Sequence, residues 1–127
     1  MKNLILSLCS LSISASAFAG WIPAYGVTCS AKNGATVELY PNADETMIQL
    51  VISNAKGQVI ADNNHKIIEI RHIGSMKRYK IEGFVEMDQT ATFSMQEENL
   101  KDASFVFNQS AQEDLGLPKV FANCDVL

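Results

Sequence analysis

Apolar and polar side chains alternate with a period of two through most of this chain, and helical periodicity is nearly absent. Val27, Cys29 and Ala31, for example, fall on one side of an extended strand. Such runs recur about every twelve residues, and short segments rich in Gly, Asn and Asp, such as 62–64, separate them. The pattern predicts a small all-β protein, an antiparallel meander of about eight or nine strands.

The first turn indicates how its two strands align. Lys32, Asn33 and Gly34 lie between two alternating runs. A three-residue loop places Cys29 opposite Val37 and keeps the apolar residues on one face, whereas a two-residue loop mixes the faces. We therefore predict the three-residue loop, with Gly34 in the left-handed conformation.

Residues 1–19 have the features of a secretion signal: a short start carrying Lys2, an apolar stretch, and small residues at Ala17 and Ala19. We expect cleavage after Ala19, with cleavage after Ala17 as the second choice. The remaining residues, 20–127, suffice for one small domain. Because charges interrupt every later apolar stretch, we expect no transmembrane segment once the signal is removed. The leader predicts a periplasmic or secreted bacterial protein.

Two cysteines remain after the leader, Cys29 on the first confident strand and Cys124 on the last. An oxidising compartment permits one disulfide between them. Closing a loop this long would stabilise the fold by roughly 4–5 kcal/mol in the chain-entropy model. The bridge would make the first and last strands neighbours, so we predict a closed or nearly closed barrel, with a β-sandwich as the alternative.

One short helical segment interrupts the strand pattern. Ser110 and Glu113 have the spacing of a capping box, which predicts a single helical turn over 111–115. Gly116 and Pro118 are expected to end that turn.

The sequence offers no recognisable catalytic constellation. His65 and His72 are seven residues apart, which places them on opposite faces of one strand, where they cannot share a metal ion. No Gly-x-Ser-x-Gly or Cys-x-x-Cys motif is present, and no pair of carboxylates is singled out for acid–base chemistry. We expect no enzyme activity, no cofactor and no metal site.

Positive charge is concentrated in one segment of a chain whose net charge is -4. This overall acidity argues against nucleic acid as a partner. Five of the nine basic residues that follow the leader lie within fifteen positions: Lys66, Arg71, Lys77, Arg78 and Lys80. The segment is interpreted either as a docking patch for a protein or an anionic surface, or as the ordinary charged outer face of two strands. Its candidate partner-binding residues are Arg71, Lys77, Arg78, Tyr79 and Lys80.

The start of the predicted domain is aromatic. Trp21 and Tyr25 lie in the segment 21–26, and Trp21 is the only tryptophan of the chain. These two residues are candidates for an aromatic contact surface. Alternatively, the segment folds back and plugs one end of the barrel.

The leader, the early and late cysteines, the length of about a hundred residues and the antiparallel strands together resemble, in outline, small periplasmic barrel inhibitors of c-type lysozyme. The recognition loop of that family carries Ser-Gly-x-x-Tyr. The segment from Gly74 and Ser75 to Tyr79 reverses the first pair and lengthens the gap, so the resemblance is architectural and no residue role is transferred. We expect an exported, non-catalytic binding protein. The alternatives are an inhibitor-like barrel that binds a protein through the 74–80 turn, and a carrier of a small hydrophobic ligand.

Overall fold

A computed structural model describes residues 22–23, 25–83, 88–96 and 99–127. The predicted signal over residues 1–19, its cleavage after Ala19, and Trp21 lie outside the described residues. Nine strands and one helix make up the described part of the chain: β1 Val27–Ser30, β2 Thr36–Pro41, β3 Met47–Ser53, β4 Val59–Ile73, β5 Met76–Glu82, β6 Ala91–Gln96, β7 Asn99–Phe107, α1 Gln109–Leu115, β8 Val120–Phe121 and β9 Asn123–Val126.

These strands form one antiparallel sheet in the order β9-β1-β2-β3-β4-β5-β6-β7-β8. The two strands at the ends of this order, β8 and β9, follow each other in the chain with only Ala122 between them. The chain therefore passes directly from pairing with β7 to pairing with β1, and the sheet curls into a nearly closed barrel. The predicted all-β meander with a nearly closed barrel is confirmed.

A disulfide joins the first and last strands. Cys29 on β1 lies directly opposite Cys124 on β9, with the two Cα atoms 4.0 Å apart. Both side chains are buried. On the other side of β1, Cys29 lies opposite Val37, and Gly34 has a φ of 97°. The predicted bridge, the register of the first hairpin and the left-handed glycine are all confirmed.

Alternate residues of the strands face a common apolar interior, as the period-two pattern requires. Three phenylalanines from β7 and β8 pack edge to face at one part of it. The ring centroid of Phe105 lies 5.0 Å from that of Phe107 and 6.1 Å from that of Phe121. Such edge-to-face geometry is favourable for aromatic rings beyond the area they bury.

Strand β4 differs from the sequence prediction. The predicted break at 62–64 is wrong, because these residues continue the strand and pair with β3, where Asp62 lies opposite Val51. The Gln49 amide also donates a 2.8 Å hydrogen bond to Asp62 across the two strands. Cross-strand pairing here overrides the low β-propensity of Asp and Asn. The register shifts instead between Ile67 and Glu69, where β4 has one extra residue relative to β5.

Helix α1 spans seven residues, so it is longer than the predicted single turn. Its N-cap is Asn108 rather than Ser110, and the Asn108 side chain accepts a 3.0 Å hydrogen bond from the backbone N–H of Ala111. Gly116 ends the helix with a φ of 67°, as predicted. No helix in the described ranges has the length and apolar character needed to cross a bilayer.

Candidate functional site

The predicted basic segment forms the hairpin of β4 and β5. Ile73 lies opposite Met76, so Gly74 and Ser75 make a two-residue turn between the strands. Gly74 has a φ of 62°, which suits the first central position of the tight turns that join antiparallel strands. This turn fixes which residues of the two strands share the outer face.

The outer face of the hairpin carries a patch of exposed charges. Arg71 lies directly opposite Arg78, and Glu69 lies directly opposite Lys80. The Arg71 Nε donates to the Glu69 carboxylate at 2.6 Å within the same strand, and both side chains are largely exposed. We define the basic hairpin face as these four residues together with the next cross-strand pair: Lys66, Glu69, Arg71, Arg78, Lys80 and Glu82.

Like charges placed directly opposite each other are unfavourable in an antiparallel pair. The Arg71–Arg78 pair therefore works against the stability of the hairpin, although Glu69 offsets part of the repulsion. The face carries four positive and two negative side chains on a chain of net charge -4. The structure thus brings Arg71, Arg78 and Lys80 together on one exposed surface.

Two other residues of the predicted patch do not belong to that surface. Lys77 and Tyr79 are exposed by only 7% and 0%, because odd-numbered residues of β5 point into the barrel. The structure therefore places both side chains in the interior and not on the predicted surface patch, and their contact with a partner stays an untested prediction. Alternation along β5 separates them from Arg78 and Lys80, which remain exposed.

Inside the barrel, Lys77 and Tyr79 converge on a buried carboxylate, that of Glu45. The Tyr79 hydroxyl lies 3.0 Å from both Glu45 oxygens, and the Lys77 Nζ donates to Glu45 Oε1 at 3.3 Å. The Lys77 Nζ also lies 5.2 Å from the centroid of the Tyr79 ring. The backbone N–H of Ile22 donates to Glu45 Oε2 at 3.3 Å. We call Glu45, Lys77 and Tyr79 the buried polar cluster.

The turn between β2 and β3 aims Glu45 into the barrel. Glu45 has a φ of 56°, in the left-handed region that costs most side chains about 1 kcal/mol or more. The Asn42 side-chain oxygen holds this turn by accepting from the backbone N–H groups of Thr46 and Met47. Asp44 accepts from the Thr46 hydroxyl and from the Thr46 N–H, and these hydrogen bonds lower the pKa of its carboxyl group.

The N-terminal segment is divided between the interior and the surface. Ile22 is 3% exposed and belongs to the apolar core, as the plug hypothesis expects. Tyr25 is 67% exposed, so it stays a candidate contact residue. Trp21, the other predicted contact residue, lies outside the described part.

The two histidines lie in different environments on β4. His65 is 4% exposed, and its Nδ1 is 3.1 Å from the backbone oxygen of Glu82. Burial lowers the pKa of His65, and hydrogen bonds to the backbone of Glu82 and Gly83 oppose part of that shift. His72 is exposed near the end of the hairpin.

Sequence reasoning missed two features of this region. The first is Glu45, which the pattern of the chain places in an ordinary polar turn. The second is a group of exposed isoleucines beside the basic hairpin face, namely Ile68, Ile70 and Ile73. The alternating pattern could have revealed Ile73 as outward-facing, but the bulge that reorients Ile68 and Ile70 has no clear signature in the sequence. No protein-family model, curated protein or solved structure matches this chain.

Proposed function

We propose that this protein is an exported, non-catalytic binding protein that docks the acidic surface of a partner protein through its basic hairpin face. The observation that carries the proposal is the placement of Arg71, Arg78 and Lys80 on one exposed sheet face. Clustered charges of one sign steer an oppositely charged partner toward the surface that carries them.

The energetics of the face support a role in binding. Arg71 and Arg78 lie directly opposite each other, where a pair of opposite charges would stabilise the hairpin better. Arginine is also enriched among the residues that dominate the energy of protein interfaces. An unfavourable pair within the fold becomes favourable when carboxylates of a partner neutralise it.

The mixed charge of the face favours a protein over a membrane as the partner. Glu69 and Glu82 lie among the basic residues, so the net charge of the face is modest. A uniformly anionic bilayer would repel both carboxylates, whereas a protein surface can place basic groups opposite them. Stable membrane anchoring also requires a stronger combination of signals than this face presents.

The sequence offered two alternative functions, an inhibitor-like barrel and a carrier of a hydrophobic ligand, and the structure is more compatible with the first. An inhibitor-like barrel that binds through the 74–80 turn is compatible with this proposal, because Ser75, Arg78 and Lys80 of that turn are exposed. A carrier of a small hydrophobic ligand is less favoured, because Phe105, Phe107 and Phe121 pack against one another in part of the interior.

A pair of charge-matched variants tests the proposal. Arg78→Glu/Lys80→Glu reverses two charges on the basic hairpin face, and Lys101→Glu/Lys119→Glu reverses two exposed charges elsewhere. Each immobilised protein is incubated with periplasmic extract, retained proteins are identified by mass spectrometry, and the affinity of the purified partner is measured by calorimetry. We expect the wild type and the Lys101/Lys119 variant to bind equally, and the Arg78/Lys80 variant to bind at least about tenfold more weakly.

Salt provides a second readout, since the affinity of the wild type should fall as ionic strength rises. If both double variants bound the partner with equal affinity, the basic hairpin face would not be the binding site. Sedimentation of the wild type with phosphatidylglycerol vesicles, but not with phosphatidylcholine vesicles, would identify an anionic membrane, and not a protein, as the partner. Turnover of any substrate in a hydrolase panel would contradict the non-catalytic role.

A further inference from the structure

Two arginines lie side by side on the outer face of the β4–β5 hairpin. Arg71 is directly opposite Arg78, and residues in this position of an antiparallel pair have Cβ atoms about 4.5–5.5 Å apart. Both side chains are exposed. Each guanidinium carries N–H donors in a planar fork that matches the spacing of oxygens on a phosphate group. We call Arg71 and Arg78 the arginine pair.

Neighbouring side chains set the charge around the arginine pair. The Arg71 Nε donates to the Glu69 carboxylate at 2.6 Å, which leaves the two terminal nitrogens of Arg71 for other acceptors. Glu69 in turn lies directly opposite Lys80. These four residues carry three positive charges and one negative charge, so their net charge is +2. A ligand group with two negative charges would neutralise this sum.

The charge and the geometry of the arginine pair favour a phosphate monoester over a carboxylate. A carboxylate has one negative charge and two oxygens, which a single guanidinium can satisfy. A phosphate monoester carries a charge of about −1.5 to −2 at pH 7 and has three strong acceptor oxygens. It can therefore accept hydrogen bonds from both guanidiniums at once, and it would offset the repulsion between them.

An apolar pair lies next to the arginine pair, on the side of the turn. Ile73 is directly opposite Met76, two residues along each strand from Arg71 and Arg78, so all four side chains belong to the same outer face. Ile73 is 46% exposed and Met76 is half-buried. Residues two apart on a strand are separated by about 7 Å. An apolar group attached to a bound phosphate could therefore contact Ile73 and Met76 and remove them from water.

We propose that the outer face of the hairpin binds a phosphate monoester whose organic part is apolar or aromatic. The arginine pair holds the phosphate group, and Ile73 and Met76 contact the organic part. Because the site is open to solvent, the dissociation constant is expected to be roughly millimolar. This binding site does not rest on the partner protein proposed above, since a free small molecule can occupy it.

Four small probes test the class of ligand: phenyl phosphate, inorganic phosphate, phenyl sulfate and acetate. Each is titrated into the oxidised wild type at constant ionic strength and about pH 7.5, where a phosphate monoester is close to doubly charged. Backbone amide chemical shifts report binding, and we expect the shifts to be confined to the hairpin and its neighbouring strands.

Phenyl phosphate should bind most tightly of the four probes. Inorganic phosphate should bind at least about threefold more weakly, because it makes no apolar contact. Phenyl sulfate has the same shape as phenyl phosphate but only one negative charge, so it should bind at least about fivefold more weakly. Acetate lacks both the second charge and the ring and should bind more weakly still.

Three single variants separate the parts of the site. Arg78→Lys keeps the charge but removes the planar fork, and it should weaken the binding of phenyl phosphate at least about fivefold. Ile73→Ser should reduce the affinity for phenyl phosphate to that for inorganic phosphate, and leave the latter unchanged. Lys101→Gln removes an exposed charge elsewhere and is the control that binds like the wild type. Circular dichroism confirms that each variant is folded.

Stability gives a second readout of the arginine pair. Arg78→Gln removes the like-charge pair, so without ligand it should unfold at a higher urea concentration than the wild type. Excess phenyl phosphate should raise the urea midpoint of the wild type but not that of Arg78→Gln, because only the wild type binds the ligand.

Three results would overturn the proposal. The first is equal affinity of the wild type for phenyl phosphate and acetate. The second is undiminished binding by a folded Arg78→Lys variant, which would indicate general attraction to positive charge. The third is binding of inorganic phosphate as tightly as phenyl phosphate, which would exclude an ester as the ligand. None of these results bears on the protein partner, whose affinity is measured separately.

Discussion

Glu45 connects three parts of the molecule that are distant in sequence. Its carboxylate contacts Ile22 of the N-terminal segment and Lys77 and Tyr79 of β5. The backbone of Glu45 has an unfavourable positive φ of 56°, and its side chain points into the barrel. A buried ion pair contributes little net stability compared with an apolar replacement, but removal of one partner is costly because a buried charge remains.

We therefore expect Glu45→Ala to lower the free energy of unfolding by about 3–5 kcal/mol. The loss arises because Lys77 stays buried without the Glu45 carboxylate and because Tyr79 and Ile22 lose an acceptor. The double variant Glu45→Gln/Lys77→Met should lose much less, since it removes both charges and keeps an acceptor. Urea unfolding followed by circular dichroism measures both values. Equal losses for the two variants would contradict a charge-based explanation.

His65 makes the stability of the fold depend on pH. Its pKa in the folded state lies below the ordinary value of 6.5, chiefly because burial disfavours the charged imidazolium. The neutral ring contributes its full stabilisation above pH 6.5. As the pH falls from 6.5 toward the folded pKa, the unfolded chain binds a proton that the folded chain does not, and stability decreases.

Unfolding experiments at a series of pH values between 7.5 and 5 can isolate this contribution. We expect the free energy of unfolding of the wild type and of the His72→Gln variant to fall across this range. The His65→Gln variant is expected to be less stable at pH 7.5 and to have a flatter pH dependence. An NMR titration of the His65 ring in the His72→Gln background gives its pKa directly, and a value at or above 6.5 would contradict the assignment.

Among the strands, turns and helix, the features that depend only on nearby residues can be predicted from the sequence. The turn at Gly34 and the end of α1 at Gly116 were predictable because both positions require a positive φ, which glycine adopts freely. The face of β5 was predictable from strict alternation. The same alternation places Tyr79 on the inward face with Ile81, and both side chains are fully buried.

Features that depend on a neighbouring strand could not be predicted. Asp62 continues β4 because β3 lies beside it, and no local pattern reveals that partner. The extra residue at Ile68 reorients the end of β4, and the pairing of β4 with β3 reaches only Lys66 because β3 begins at Met47. The buried role of Glu45 likewise depends on Lys77, which is 32 residues away in the chain.

At the scale of the whole molecule, the disulfide fastens the strands at which the barrel closes. Strand β9 pairs with β1 through only four residue pairs, and Cys29 and Cys124 are one of them. The cross-link joins residues 95 positions apart, so in the chain-entropy model it should stabilise the fold by on the order of 4–5 kcal/mol.

We expect Cys29→Ala/Cys124→Ala to unfold at a lower urea concentration than the oxidised wild type, with a difference in unfolding free energy of about 2–5 kcal/mol. Amide hydrogen exchange should increase first in β1 and β9, because the covalent link between these two strands is then missing. Treating the double variant with dithiothreitol should have no effect, which separates loss of the bridge from other effects of the reductant. If the double variant were as stable as the wild type, the pairing of β1 with β9 would not depend on the disulfide.

The pairing of β1, near the start of the domain, with β9, near its end, also determines when the barrel can close during synthesis. Until Val126 has been made, β1 can pair with β2 but lacks β9 along its other edge. Oxidation to the native pair must wait until the ribosome has passed Cys124. Because this pairing is among the longest-range contacts possible in the chain, ring closure is expected to be the slow, final event in maturation.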